Sequence, residues 1–160
     1  MPFYFTPTGR RRLEDLIARL ESNVSKIHAT GAEACELGGD LWHDNPSYDA
    51  MLIDLRGADK RLSDAMRVRN QASVVEVPSN PRTIVIGTLA TVVLNSEECK
   101  FGIVSYGQSD PDKDFIAYDT PLAQFLYNLK EGEEKEAKMN GRPMKVVVKK
   151  IQPLTPQMEE

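Results

Sequence analysis

Two runs of mainly apolar residues at alternating four- and three-residue spacing dominate the first half of the chain. The first is Leu13, Ile17, Leu20, Val24, Ile27, Gly31 and Ala34, and the second is Tyr48, Met51, Leu55, Ala58, Leu62, Ala65 and Arg69. A four-three repeat is the seam of a coiled coil, because it keeps one stripe of a helix facing a partner. Between the runs, Gly38-Gly39 and Pro46 stop the pattern. Two seams joined by so short a break predict an antiparallel helical hairpin. Thr6-Pro7 suits the start of the first helix and Asn45-Pro46 the start of the second, each as N-cap followed by proline at the first helical position. About 28 residues per helix would reach roughly 40 Å. The first seam shrinks from Leu and Ile to Gly31 and Ala34, which predicts a closer helix approach towards the turn.

Charge is segregated along this hairpin. No Lys or Arg lies between Lys26 and Arg56, an interval that holds Glu33, Glu36, Asp40, Asp44, Asp49 and Asp54. Arg10, Arg11, Arg12 and Arg19 gather at the other end of the first helix, and Lys60, Arg61, Arg67 and Arg69 at that of the second. A charge run is usually a solvated face. Segregation to the same end on both helices instead predicts a rod oriented by a partner's field, its acidic turn aimed at a cation. The bland alternative is a dimerisation arm.

The turn itself, Gly38 to Tyr48, holds Asp40, Asp44, His43 and the only tryptophan, Trp42. Two carboxylates on a turn are hard oxygen donors that could share a magnesium ion. Magnesium takes six oxygens, so water or a partner must supply the rest. Asp40 and Asp44 equally suit the cap positions that short acidic residues favour. Trp42 suits either a lid on the end of the coiled-coil core or an interaction anchor. His43 is a candidate ligand or proton donor, although a lone exposed histidine usually serves as neither.

The second half is β-rich. Pro78-Ser79-Asn80-Pro81 reads as a linker, dividing residues 1–77 from 78–160. Strands are expected over Ser73–Val77, over Thr83–Leu94 as two strands or one bent strand broken at Gly87, and over Cys99–Tyr106 and Phe115–Tyr118, with Asn95-Ser96-Glu97-Glu98 as a turn. Thr120-Pro121 opens a short helix with Leu122, Phe125, Leu126 and Leu129 on its apolar face. Asn140-Gly141 is the turn of a terminal hairpin over Lys135–Met139 and Met144–Ile151. The tail after Pro153 is expected to fray. The fold class is therefore α+β: a coiled-coil hairpin, then a small antiparallel β domain with one short helix.

The net charge of −4 gives no bulk attraction to nucleic acid or to an anionic membrane. Any nucleic-acid contact must come from local patches. No apolar run approaches a membrane span, and the N-terminus lacks the pattern of a signal peptide. Cys35 and Cys99 lie outside any metal or redox motif, which fits a reducing cytoplasm.

Several stretches, taken in order, match one family. Thr6-Pro7-Thr8-Gly9 followed by Leu13 resembles the T-P-x-G-x-x-x-L opening of the bacterial Gre transcript-cleavage factors. Gly39-Asp40-Leu41, then Asp44-Asn45 and Tyr48, resembles their G-D-L-x-E-N-x-x-Y tip. Asn70-Gln71-Ala72-Ser73-Val74-Val75 is similar to their exit from the second helix, and Asp119-Thr120-Pro121-Leu122 with Gly132 to a later segment. The resemblance implies an FK506-binding-protein-like C-terminal domain docked on RNA polymerase. It implies a coiled coil in the secondary channel, and a monomeric factor that is not itself an enzyme. Asp40 and Asp44 would help hold a magnesium ion at the polymerase's own active site, none being bound by the isolated protein. The polymerase would then hydrolyse the 3′ end of backtracked RNA. Leu41, Trp42, His43, Asn45 and Tyr48 would support the tip or touch the polymerase.

The chain departs from the family pattern at this tip. Asp40 and Asp44 are four positions apart where the family has three, and the second acid is Asp rather than Glu. A non-cleaving regulator of the same channel is therefore the main alternative. A nucleoside diphosphate kinase regulator fits less well, because its arm is shorter. From a different class, a prolyl isomerase with a helical arm would need an aromatic-lined pocket among Phe101, Tyr106, Phe115, Tyr118, Phe125 and Tyr127. An autonomous metallohydrolase would lack ligands.

Overall fold

The computed structural model describes the backbone of residues 2–37 and 46–159, and the side chains of residues 2–31 and 46–159. The chain divides into two compact units, one formed by Arg11–Gln71 and the other by Met1–Arg10 with Ala72–Glu160.

The first unit is helical. Helix α1 spans Pro7–Leu37, its first residues belonging to the other unit, and α2 spans Pro46–Asn70. Both begin at the prolines expected to start them. The two seams are the faces the helices hide. Leu13, Ile17, Gly31 and Ala58 are buried, and Leu20, Val24, Ile27, Tyr48, Met51, Leu55, Leu62, Ala65 and Arg69 are half-buried. Pairing of Glu14 with Arg69 at 3.5 Å, and contact of Gly31 with Met51, fix an antiparallel register. A Cβ built at Gly31 would sit 2.7 Å from Met51 Cε. The shrinking seam thus lets the helices approach closely there. No described helix is long and apolar enough to cross a membrane.

The second unit is built on a five-stranded sheet. Its strands, in chain order, are β3 (Thr88–Leu94), β4 (Glu97–Val104), β5 (Phe115–Ala117), β6 (Glu134–Met139) and β7 (Arg142–Pro153), in spatial order β5-β4-β3-β7-β6. Asn140 and Gly141 take φ of 51° and 77°, the left-handed pair that a two-residue hairpin turn demands. Asn95 and Ser96 do the same between β3 and β4, so Glu97 and Glu98 belong to a strand rather than to the turn. Helix α3 (Pro121–Leu126) is capped as expected, Thr120 Oγ1 accepting from Ala123 N–H at 3.4 Å. Ala123, Phe125, Leu126 and Leu129 pack with Ile84, Val92, Ile103, Val146 and Val148 to form the main core.

Three features differ from the sequence reading. The sheet is mixed, because β5 runs parallel to β4. The N-terminal residues Phe3–Phe5 form a strand, β1, parallel to β2 (Ala72–Val74), in a separate two-stranded sheet. This pairing draws residues 1–10 into the β unit and moves the division from Pro78 to Gln71–Ala72. Finally, the tail does not fray. Leu154 is fully buried and Pro156–Glu159 form one helical turn, α4, which carries Glu159 to 2% exposure.

Gly9 lies in the first turn of α1, where a Cβ would stand 2.0 Å from Ser105 Oγ and 2.7 Å from Ser105 Cβ. The second clash cannot be relieved by rotating a hydroxyl. Gly9→Ala is expected to cost about 1–3 kcal/mol, more than alanine's helix preference returns. The measurement is a lowered Tm in thermal unfolding.

Candidate functional site

The arm is the candidate site, and its chemistry begins with where the helices stop. Helix α1 ends at Leu37 and α2 starts at Pro46. Asp40, Leu41, Trp42, His43, Asp44 and Asn45 fall between them and lie outside the described residues. Tyr48, from the same motif, is half-buried on the seam face of α2, within its first turn. Asp49 occupies the first turn of α2, where a carboxylate complements the helix dipole.

Basic residues mark the opposite end. Arg11, Arg19, Lys60, Arg61 and Arg67 are exposed. Lys60 and Arg67 reach Asp64 at 3.5 and 4.0 Å on the surface of α2, contacts worth little in water. Arg69 bridges to Glu14 across the seam while both remain partly solvated. Among the described residues no group of three or more His, Cys, Asp or Glu converges to hold a metal.

In the β unit, the aromatics are largely committed to packing. Phe125 lies in the main core, which Phe101, Tyr118 and Tyr127 pack against, and Phe115 lies in a smaller cluster with Val104 and Leu154. Tyr106 stacks on Phe3 with ring centroids 4.3 Å apart. Tyr118 meets Tyr4 edge-on, and its hydroxyl accepts from Tyr4 N–H at 3.0 Å. Burial pushes the Tyr118 phenol above its ordinary value, so it stays neutral at physiological pH. These contacts use the side chains that an isomerase pocket would need.

The sequence reading also missed a polar cluster. Thr6, Ser105 and Glu159 are all buried. Thr6 N–H donates to Ser105 Oγ at 2.9 Å, and Thr6 Oγ1 donates to Glu159 Oε1 at 2.8 Å. The only local signal was the T-P-x-G start, which accounts for a cap but not for its distant partners.

Comparison with known proteins bears on both units. Residues 79–153 match the family model for the C-terminal domain of the transcription elongation factors GreA/GreB. GreA of Mycoplasmoides gallisepticum is 29% identical over 116 residues, covering 71% of this chain and 72% of that one. GreA of a Nitratiruptor species is 33% identical over 138 residues, covering 84% of this chain and 83% of that one. The chain belongs to the GreA/GreB family. Within the GreA/GreB family it is a transcription elongation factor, and the matched residues 79–153 take in the whole five-stranded sheet. Among solved structures, GreA factor homolog 1 of Thermus thermophilus is 16% identical with a TM-score of 0.45, covering 95% of this chain and 99% of that one.

Proposed function

We propose that this elongation factor binds bacterial RNA polymerase, inserts its arm into the secondary channel and stimulates cleavage of backtracked RNA. Family membership supports the polymerase as partner. The observation that carries the rest is the arm: an antiparallel helix pair with a hidden seam, and no cation between Lys26 and Arg56 on the side of the turn. A polymerase's active site holds cations and RNA, so an acidic end leads and the basic end remains outside.

Asp40 and Asp44 are the proposed metal-contacting residues. Their carboxylates are hard oxygen donors of the kind magnesium accepts, too few to form a site without the polymerase. Magnesium bound there would supply the charge that favours deprotonation of an attacking water. The chain's own residues orient and confine: Tyr48 sits on the seam beside the turn, and Leu41, Trp42, His43 and Asn45 surround the acids in sequence. The protein thus needs no active site of its own, and a cytoplasmic location follows from its partner. The second reading is a factor that occupies the channel without promoting cleavage. It is favoured by the four-residue separation of Asp40 and Asp44.

The test is the magnesium dependence of RNA 3′-end hydrolysis in stalled, backtracked complexes. With the protein present, the half-maximal rate should come at a lower magnesium concentration. Superimposable titration curves would overturn the metal role.

A further inference from the structure

The first turn of α1 is closed by a segment far along the chain. Leu154 is fully buried, and its N–H donates to Gly87 O at 2.8 Å. The single turn of α4 then delivers Glu159 beneath Thr6. Thr6 Oγ1 donates to Glu159 Oε1 at 2.8 Å and accepts from Gly9 N–H at 3.0 Å. One hydroxyl therefore joins the cap of α1 to this segment. The same turn of α1 has other holds: Thr6 N–H on Ser105 Oγ, and Gln108 Nε2 donating to Gly9 O at 2.7 Å.

The closure is well packed but poorly satisfied. Glu159 Oε2 is buried with no hydrogen-bond partner among the described residues. A buried carboxylate oxygen without a donor carries a large desolvation cost. A four-residue helix supplies little cooperative stability to offset it. Such a segment belongs to the part of a fold that opens locally, ahead of global unfolding.

We propose that Leu154–Glu159 is a releasable strap over the first turn of α1, latched by Glu159 on Thr6 and weakened by the bare Oε2. When it opens, the Thr6 hydroxyl loses one of its partners and the capped turn loosens. The proposal is independent of the polymerase reading, since every residue in it belongs to the β unit.

Amide hydrogen exchange on the full chain tests it. The probes are the N–H groups of Gly9 and of Arg10, which donates to Thr6 O at 2.8 Å. The β3–β7 ladder serves as the reference for global opening. In the wild type, Gly9 and Arg10 should exchange faster than the ladder. Glu159→Ala removes the latch and should speed their exchange by about tenfold. Glu159→Gln keeps an oxygen for Thr6 and removes the buried charge, so it should slow their exchange by about tenfold. A purely structural carboxylate predicts the opposite sign for Gln. Exchange in Glu159→Gln equal to or faster than wild type, or Gly9 exchanging only with the ladder, would overturn the strap.

Discussion

Asp40→Asn and Asp44→Asn are each expected to reduce stimulated RNA cleavage by about 100-fold, with binding to polymerase unchanged. Asparagine keeps the size and one oxygen of aspartate but removes the negative charge that a magnesium ion requires. Electrostatic groups at a reacting centre typically account for about 100- to 1000-fold each. Binding should persist because each change leaves the helix pair and the β unit, the proposed docking surfaces, untouched. Cleavage is measured on stalled complexes and binding by titration against labelled polymerase. Equal cleavage in wild type and both variants would remove the carboxylates from the chemistry.

The second large effect is structural. Ala58 is the seam residue of α2 with no exposed surface. Ala58→Asp would place an unpaired carboxylate between the helices, a change that costs about 3–5 kcal/mol where no partner can form. The arm has little else to hold it: beyond Leu13, Ile17 and Gly31, the described seam residues of both helices are only partly covered. The variant should lose much of its helical circular dichroism and all cleavage stimulation. The β unit has its own core of Ile84, Val92, Ile103, Leu126 and Val148 and should keep its cooperative transition. Retained helicity in Ala58→Asp would show that the seam is not what joins the helices.

The legible parts of this fold were local. The seams follow from spacing alone, because a four-three repeat has one stable outcome. Thr120-Pro121 announces α3, and Asn140-Gly141 announces the β6–β7 hairpin, because cap and turn chemistry is set by adjacent residues. What was hidden depends on distant partners. Phe3–Phe5 is too short to declare itself a strand, and its partner Ala72–Val74 lies beyond the whole arm. β5 was readable as a strand, but its parallel pairing to β4 was not, since residue pattern does not encode direction. Glu159 falls in the tail expected to fray, because nothing near it in sequence reveals Thr6, 153 residues away. The candidate site divides in the same way. Its charge segregation and its two acids are sequence facts, whereas the helix register that sets Gly31 against Met51 follows from pairing between distant residues.

The most direct measurement is the release of RNA 3′ fragments from a purified backtracked elongation complex, with and without the protein, at fixed magnesium. The account predicts faster fragment release and restored elongation from the shortened 3′ end. Tight binding that slows synthesis and releases no fragments would contradict it.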